Sequence, residues 1–323
     1  HLHILDNCTA RAAIVSTPDL AQHLFPAAHR SDSLDFIIAM EPLDIAQTMG
    51  FRLFSWDDTL ATSKAEASEI EALATNLKRE DIACLIYTSG TGGVPKGVML
   101  SHGAILSNCG GAFDVLTQLE LDDEVFLSFL PLSHSYEHTA GQFFPISIGA
   151  QIYYAEKIET LGADMTEARP TLMTAVPRLY ESLYQRITQG LAREGGLKEK
   201  LFNRALALGV RTYEGRDPLN SLEQAVNCLL DVLVRRKVRE RFGGRLKALV
   251  SGGAPLNYQT GLFFTALGLR LLQGYGQTES APVISCNPAS DNRISTVGPA
   301  LKGVTVKIAD DGEILVKGEL VMQ

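Results

Sequence analysis

The chain has 323 residues, enough to bury a large core in more than one subdomain. With 46% hydrophobic and 20% charged residues it is globular in composition rather than disordered, and its net charge of −8 gives no general attraction to nucleic acid or an anionic membrane. The five cysteines, Cys8, Cys84, Cys109, Cys228 and Cys286, are odd in number and never in a Cys-x-x-Cys arrangement, which excludes a disulfide framework and points to a reducing, cytoplasmic setting.

The first residues, His1-Leu2-His3-Ile4-Leu5, read as the middle of a helix, with no initiator Met, basic leader or signal-peptide pattern, so an N-terminal truncation is expected. No apolar run approaches the roughly 20 residues that span a bilayer. Short apolar runs then alternate with amphipathic stretches, the sequence form of a parallel α/β fold. The apolar runs predict strands at 12–16, 35–40, 84–88, 125–129, 151–155, 172–176, 246–251 and 270–273. Helices are expected at 102–119, 178–189, 198–212 and 222–242, and residues 59–78, acidic and small, as a surface helix or linker. After Gly298 the texture changes to short strands around Asp310-Asp311-Gly312, a hairpin signal and the start of a β-rich unit.

One stretch, Tyr87-Thr88-Ser89-Gly90-Thr91-Gly92-Gly93-Val94-Pro95-Lys96-Gly97, follows a strand and precedes the helix expected from His102. Its glycines let backbone N–H groups converge on an anion, its hydroxyls add donors, and Lys96 supplies a compact positive charge. It is not a Walker A loop, because Pro95 precedes the lysine and Gly97 follows it. Further along, Gln273-Gly274-Tyr275-Gly276-Gln277-Thr278-Glu279-Ser280 offers an aromatic face, a hydroxyl and a carboxylate within five residues. These suit a purine, a phosphate oxygen and Mg²⁺ in turn. Upstream of it, Ser251-Gly252-Gly253-Ala254-Pro255-Leu256 leaves a strand through small residues that let a flat ring approach the backbone, and it also reads simply as a tight turn.

The segment Leu130-Pro131-Leu132-Ser133-His134-Ser135-Tyr136-Glu137-His138 contains His-x-x-Glu-His, an inverted zinc-hydrolase pattern whose two histidines share a face if the segment is helical. Pro131 and the preceding strand place His134 at a strand end or loop instead. Arg235, Arg236, Lys237, Arg239 and Arg241 lie on a helix whose other face carries Leu229, Leu230, Leu233, Val234 and Val238. That reads as a solvated amphipathic helix, with a peripheral membrane contact as the sharper alternative.

The loop at 88–97 resembles the signature loop of the acyl-adenylate-forming superfamily, departing from it at Gly92, where a second threonine is usual. Tyr275 to Glu279 resembles that family's Tyr-Gly-x-Thr-Glu block, and 130–134 its Leu-Pro-Leu-x-His motif. The stretch from Gly196 to Arg245 leading into Ser251–Leu256 looks most like long-chain fatty acyl-CoA synthetases, and 312–319 like the next block, with Glu319 where proline is common.

The resemblance implies an α/β core of two intertwined subdomains with parallel sheets flanked by helices over 1–298, and the start of a β-rich subdomain over 299–323. A C-terminal lid carrying a second lysine is implied beyond residue 323. It further implies activation of a fatty acid by ATP to acyl-AMP with release of pyrophosphate, and transfer to CoA. Thr88, Ser89, Gly90, Thr91, Gly92, Gly93 and Lys96 would hold phosphates; Thr278, with Thr91, the α-phosphate; Glu279 the Mg²⁺. Tyr275, Gly276, Gly253, Ala254 and Pro255 would border the adenine, and His134 the substrate carboxylate. A fatty acyl-AMP ligase that transfers to a carrier protein, and a zinc hydrolase built on His-x-x-Glu-His, stand as alternatives.

Overall fold

The computed structural model describes residues 1–43, 50–89, 93–215 and 217–323. The chain divides into two compact units, His1–Ser101 and His102–Gln323.

In the first unit, β1 (Ala12–Val15), β2 (Phe36–Ala39) and β3 (Arg52–Ser55) form a parallel sheet in the order β1-β2-β3. Helix Pro18–Ala28 starts where Thr17 Oγ1 accepts from the Leu20 N–H at 3.3 Å, with proline at its first turn. Ile37, Ala21, Val15 and Leu5 close the core of this sheet. Helices Trp56–Thr62 and Ala67–Thr75 bury no residue, in keeping with the acidic surface stretch expected there. The unit ends in an antiparallel hairpin, β4 (Ile82–Thr88) with β5 (Lys96–Ser101).

The second unit is built on a six-stranded sheet of β6 (Val125–Ser128), β7 (Gln151–Tyr154), β8 (Leu172–Ala175), β9 (Ala248–Ser251), β10 (Leu271–Gly276) and β11 (Val283–Cys286), in the order β11-β10-β9-β8-β6-β7. All neighbours are parallel except β11, which returns antiparallel to β10. Strands β6 and β8 are buried at every position, as expected for central strands covered on both faces. Strands β12 (Thr305–Ile308) and β13 (Ile314–Lys317) form the hairpin that Asp310-Asp311-Gly312 announced.

A buried carboxylate ties the amino ends of these strands. Glu124 accepts from the Thr171 hydroxyl, the Lys247 ammonium and, at 3.0 Å, the Asp122 N–H. Thr171 Oγ1 in turn accepts from the Val125 N–H at 2.9 Å. Burial alone would raise the Glu124 carboxyl, but Lys247, Thr171 and the Asp122 N–H outweigh it and hold the group below its ordinary range.

Helices Gly196–Glu214 and Tyr258–Ala266 cross at Gly209, where a Cβ would lie 2.3 Å from the Ala266 carbonyl oxygen. Only a residue without a side chain permits that approach.

The structure corrects the expected architecture in three places. The sheets are not all parallel: β1-β2-β3 is, but β4–β5 is an antiparallel pair and β11 joins the six-stranded sheet antiparallel to β10. Lys96 and Gly97 of the motif open β5, paired antiparallel with β4, so the helix His102–Leu116 begins only after that strand. The stretch expected as one helix at 222–242 is α-helical over Ser221–Leu230, π-helical over Asp231–Arg235 and α-helical again over Arg236–Arg241.

That π-turn carries an extra residue and shifts the helical phase. Leu230, Arg235 and the half-buried Val234 and Val238 therefore face inward, while Leu229 and Leu233 are exposed. Arg235 is not part of a solvated basic face. Its guanidinium is buried and donates to the carbonyls of Ala266 (2.8 Å), Ala205 (2.6 Å) and Asn227 (3.2 Å).

Two outcomes follow from this packing. Gly209→Ala gains about 1 kcal/mol of helix propensity, but the added methyl meets backbone that cannot rotate away, and overpacking costs about 1–3 kcal/mol; the variant should unfold at lower urea. Glu124→Gln should destabilise the protein at neutral pH. A depressed carboxyl contributes stability above its unfolded titration near pH ~4.3 and loses it as the pH falls through the folded value, so the gap between wild type and variant should close on acidification. Urea unfolding of both proteins at neutral and acid pH reads that gap.

Candidate active site

The carboxyl ends of β6, β9 and β10 open into the three segments that carry the candidate residues of the second unit. In an open parallel sheet, ligands bind outside those ends, beside the point where the strand order reverses. Here the chain runs from β6 to β7 on one side and returns to β8 on the other, so the reversal lies between β6 and β8.

Glu137 occupies that point. Its side chain is fully buried, accepting from Ser128 Oγ at 2.5 Å and from Thr174 Oγ1 at 2.6 Å. The Phe129 and Leu130 N–H groups also donate to it. Burial pushes the carboxyl above its ordinary value, and these four neutral donors offset the effect only in part. The π-helical turn Glu137–Phe143 makes room for it: a Cβ at Gly141 would stand 2.4–2.9 Å from the carboxylate.

Anchored in this way, the preceding residues turn toward β9 and β10. The His134 N–H donates to the Pro131 carbonyl at 3.0 Å, and Tyr136 Oη donates to the Val250 carbonyl at 2.9 Å. The Tyr136 ring fills the space that a Gly252 Cβ would need, at 2.9–3.2 Å. Gly252 therefore receives an aromatic ring of the protein itself. Beyond it, Gly253 has φ +80° and, with Ala254 and Pro255, stands exposed at the end of β9.

His134 is exposed, and its Nδ1 accepts from the Tyr136 N–H at 3.2 Å. In the neutral ring this hydrogen bond assigns the proton to Nε2, leaving a donor that faces solvent. His138 does not share its surroundings. Its ring packs edge-on against Phe143 at 4.8 Å, its Nδ1 is buried without a partner among the described residues, and burial lowers its pKa. With Glu137 committed to Ser128 and Thr174, the His-x-x-Glu-His triplet is dispersed. Among the described residues no group of three His, Cys, Asp or Glu side chains is placed to hold a metal.

The Tyr275–Glu279 block straddles the end of β10 and a 3₁₀ turn, Thr278–Ser280. A Cβ on Gly276 would lie 1.8 Å from the Pro282 carbonyl, so this strand end requires glycine. Buried Asn108, on helix His102–Leu116, fixes the turn by donating to the carbonyls of Ser280 (3.3 Å) and Val283 (2.8 Å). Tyr275 and Glu279 are half-buried, and the Glu279 carboxylate has no ion pair or hydrogen bond among the described residues. Thr278 meets the His134 segment directly: Ser135 Oγ lies 3.0 Å from Thr278 Oγ1.

Beneath the site, an apolar cavity of about 40 Å³ is walled by Phe126, Tyr136, Phe144, Met173, Cys286 and Leu301. Cys286 is buried there and its thiol is pushed up to about 12; the Cys109 thiol is pushed up to about 11.

In the first unit, Thr88 pairs with Lys96 and Tyr87 with Gly97 across the hairpin. The Tyr87 ring lies over Gly97, where a Cβ would sit 3.1 Å away, and its hydroxyl donates to Asn7 Oδ1 at 2.6 Å. His3 Nε2 reaches the Pro95 carbonyl at 3.0 Å, so the short helix Leu2–Asn7 braces the base of the loop. Ser89, Gly93 and Lys96 are exposed and Gly93 has φ +80°. Gly90, Thr91 and Gly92 lie outside the described residues.

Ser135, Glu137, Gly141 and Asn108 are the site residues that sequence reasoning did not assign to this chemistry. Polar Asn108 inside the apolar run Ala104–Cys109, and glycine four residues after Glu137, are signals that could have found them.

The whole chain, residues 1–323, matches the AMP-binding enzyme family. It is 35% identical over 241 residues to the peroxisomal long chain acyl-CoA synthetase 6 of Arabidopsis thaliana, covering 73% of this chain and 33% of that protein. It is 35% identical over 277 residues to the putative fatty-acid–CoA ligase fadD11 of Mycobacterium tuberculosis, covering 83% and 48%. Its fold is similar to that of ATP-bound MatB from Rhodopseudomonas palustris, with a TM-score of 0.66 at 21% identity over 100% of this chain and 54% of that one. The chain thus spans about a third to a half of the curated relatives it matches. On the match of its entire length, the chain belongs to the family of AMP-binding enzymes.

Proposed function

We propose that this chain forms the ATP-binding portion of a long-chain fatty acid–CoA ligase. The observation that carries the reading is the meeting of the His134 segment with Thr278 at the carboxyl edge of the parallel sheet, through Ser135. The names of the curated relatives supply the substrate class: long-chain acyl groups and CoA.

In this reading a fatty-acid carboxylate oxygen attacks the α-phosphorus of ATP and pyrophosphate leaves. CoA thiolate then attacks the acyl carbon, and AMP leaves. The first step calls for charge stabilisation and alignment rather than a protein nucleophile. Thr278 hydrogen-bonds the α-phosphate, and Tyr275 lies along the adenine, with Gly253, Ala254, Pro255 and Gly276 as its backbone wall. The outward Nε2–H of His134 donates to the substrate carboxylate. The 88–93 loop and Lys96 bind the β- and γ-phosphates; the Lys96 ammonium is exposed and unpaired among the described residues.

Glu279 fits a magnesium site, because Mg²⁺ bound with a nucleotide takes one or two carboxylates beside phosphates and water, and this half-buried carboxylate has no partner among the described residues. Bound there, Mg²⁺ supplies Lewis-acid neutralisation of the phosphate charge. Residues 1–298 serve as the nucleotide- and acyl-binding core in this reading, with 299–323 opening a β-rich subdomain.

Calorimetry on the 323-residue chain tests the nucleotide site. ATP with Mg²⁺ should bind, and Lys96→Ala should weaken ATP by about tenfold or more while sparing AMP, since a hydrogen bond to a charged group is worth about 1.5–3 kcal/mol. Glu279→Gln should leave ATP affinity the same with Mg²⁺ as with EDTA. Equal losses for AMP and ATP in Lys96→Ala would remove the assignment of that lysine. For the acyl group, acyl-sulfamoyl-adenosines of rising chain length should bind progressively tighter, by about 0.8 kcal/mol for each methylene buried. A flat series would eliminate a long-chain acid.

A peripheral membrane contact belongs to the same proposal. Leu222, Leu229, Val232 and Leu233 are exposed on the helix that continues into exposed Arg236 and Lys237. No helix among the described residues is long and apolar enough to cross a membrane. The chain should sediment with vesicles containing phosphatidylglycerol, and Leu229→Glu with Leu233→Glu should abolish that; equal sedimentation of the variant would clear this face of any such role.

A further inference from the structure

Ser135 is 1% exposed, and Thr278 Oγ1, at 3.0 Å, is the hydrogen-bond partner of its hydroxyl among the described residues. Each hydroxyl owns one proton, so the direction of this bond decides what Thr278 can do. A buried O–H left without an acceptor loses its hydration with nothing in return, which makes Ser135 the member that must donate. Thr278 is only half-buried and can send its own proton elsewhere. With Ser135 donating into its lone pair, Thr278 points its proton away from Ser135, as a hydrogen bond to an anion requires. The reverse arrangement would aim a lone pair at a phosphate oxygen and repel it.

We propose that Ser135 is a positioning residue, whose buried hydroxyl donates to Thr278 Oγ1 and thereby sets the Thr278 proton toward the phosphate. The inference rests on the reading of Thr278 as a phosphate-binding residue. The surroundings hold Ser135 for this task. Glu137 fixes the backbone two residues later to the ends of β6 and β8, Tyr136 ties the next residue to β9, and Asn108 holds the turn that carries Thr278. The donor and its acceptor are thus mounted on separately braced segments, 143 residues apart in the chain. Chained hydrogen bonds of this kind also polarise one another, so the Thr278 proton becomes a better donor than that of an isolated threonine.

The test is a double-mutant cycle on the 323-residue chain, with ATP plus Mg²⁺ and adenosine as the two probes. Ser135→Ala should weaken ATP about three- to tenfold, the range of one ordinary hydrogen bond, and leave adenosine affinity unchanged. In a Thr278→Val background, which keeps the shape and removes the hydroxyl, Ser135→Ala should cost nothing further. Equal weakening of adenosine, or losses that simply add in the double variant, would overturn the proposal in favour of a structural role. If Thr278→Val binds ATP like wild type, the phosphate reading of Thr278 fails and this inference with it. If Thr278→Val weakens ATP and Ser135→Ala does not, the Ser135 proposal alone falls.

Discussion

Parallel strands that end side by side leave a cleft between their carboxyl ends wherever the chain reverses direction across the sheet, and something must fill the part that a ligand does not. In this protein the carboxylate of Glu137 does so, bridging Ser128 on β6 and Thr174 on β8 with the N–H groups of Phe129 and Leu130 completing its shell. Its counterpart Glu124 clamps the amino ends of the same strands with a lysine beside it. The contrast is electrostatic. Glu124 has a cation and titrates low, whereas Glu137 has only neutral donors and burial raises it. A cation at the carboxyl ends would instead have favoured the ionised carboxylate in the floor of the site. Neutral donors hold the acid there without one.

From that anchor the rest of the site is a matter of close approaches. Gly141 vacates the space the carboxylate needs, Gly252 admits the ring of Tyr136, and Gly276 lets β10 pass the Pro282 carbonyl. The resulting surface presents Tyr275, Thr278, His134 and the exposed residues 253–255 at one edge of the second unit, while Asn108 brings helix His102–Leu116 into its support. The candidate side chains His134 and Thr278 are thereby held by the Tyr136 N–H and by Ser135, which is how a small set of polar residues keeps its geometry.

Much of the candidate site was legible in the sequence because its chemistry is local. Tyr275, Thr278 and Glu279 fall within five residues, and Lys96 closes a glycine-rich loop, so each group stands out as a block whose roles the family resemblance supplies. What escaped was set by distant partners or by backbone phase. Strand β5 reads as a loop tail because Lys96-Gly97 belongs to the motif, yet its pairing with β4 extends to Ser101. Strand β11 is short and is defined by its return alongside β10. Arg235 looked solvated on a 3.6-residue period, and the π-turn at 231–235 carries it inward onto three backbone carbonyls. The link between Ser135 and Thr278 spans 143 residues and leaves no trace in either local sequence.

The wall of the small apolar cavity includes Cys286, a sulfur nucleophile in principle. Burial pushes its thiol up to about 12, so the side chain stays un-ionised at neutral pH, and the thiolate is the reactive form. Toward an electrophile, that stretch of the cavity wall therefore behaves as hydrocarbon does.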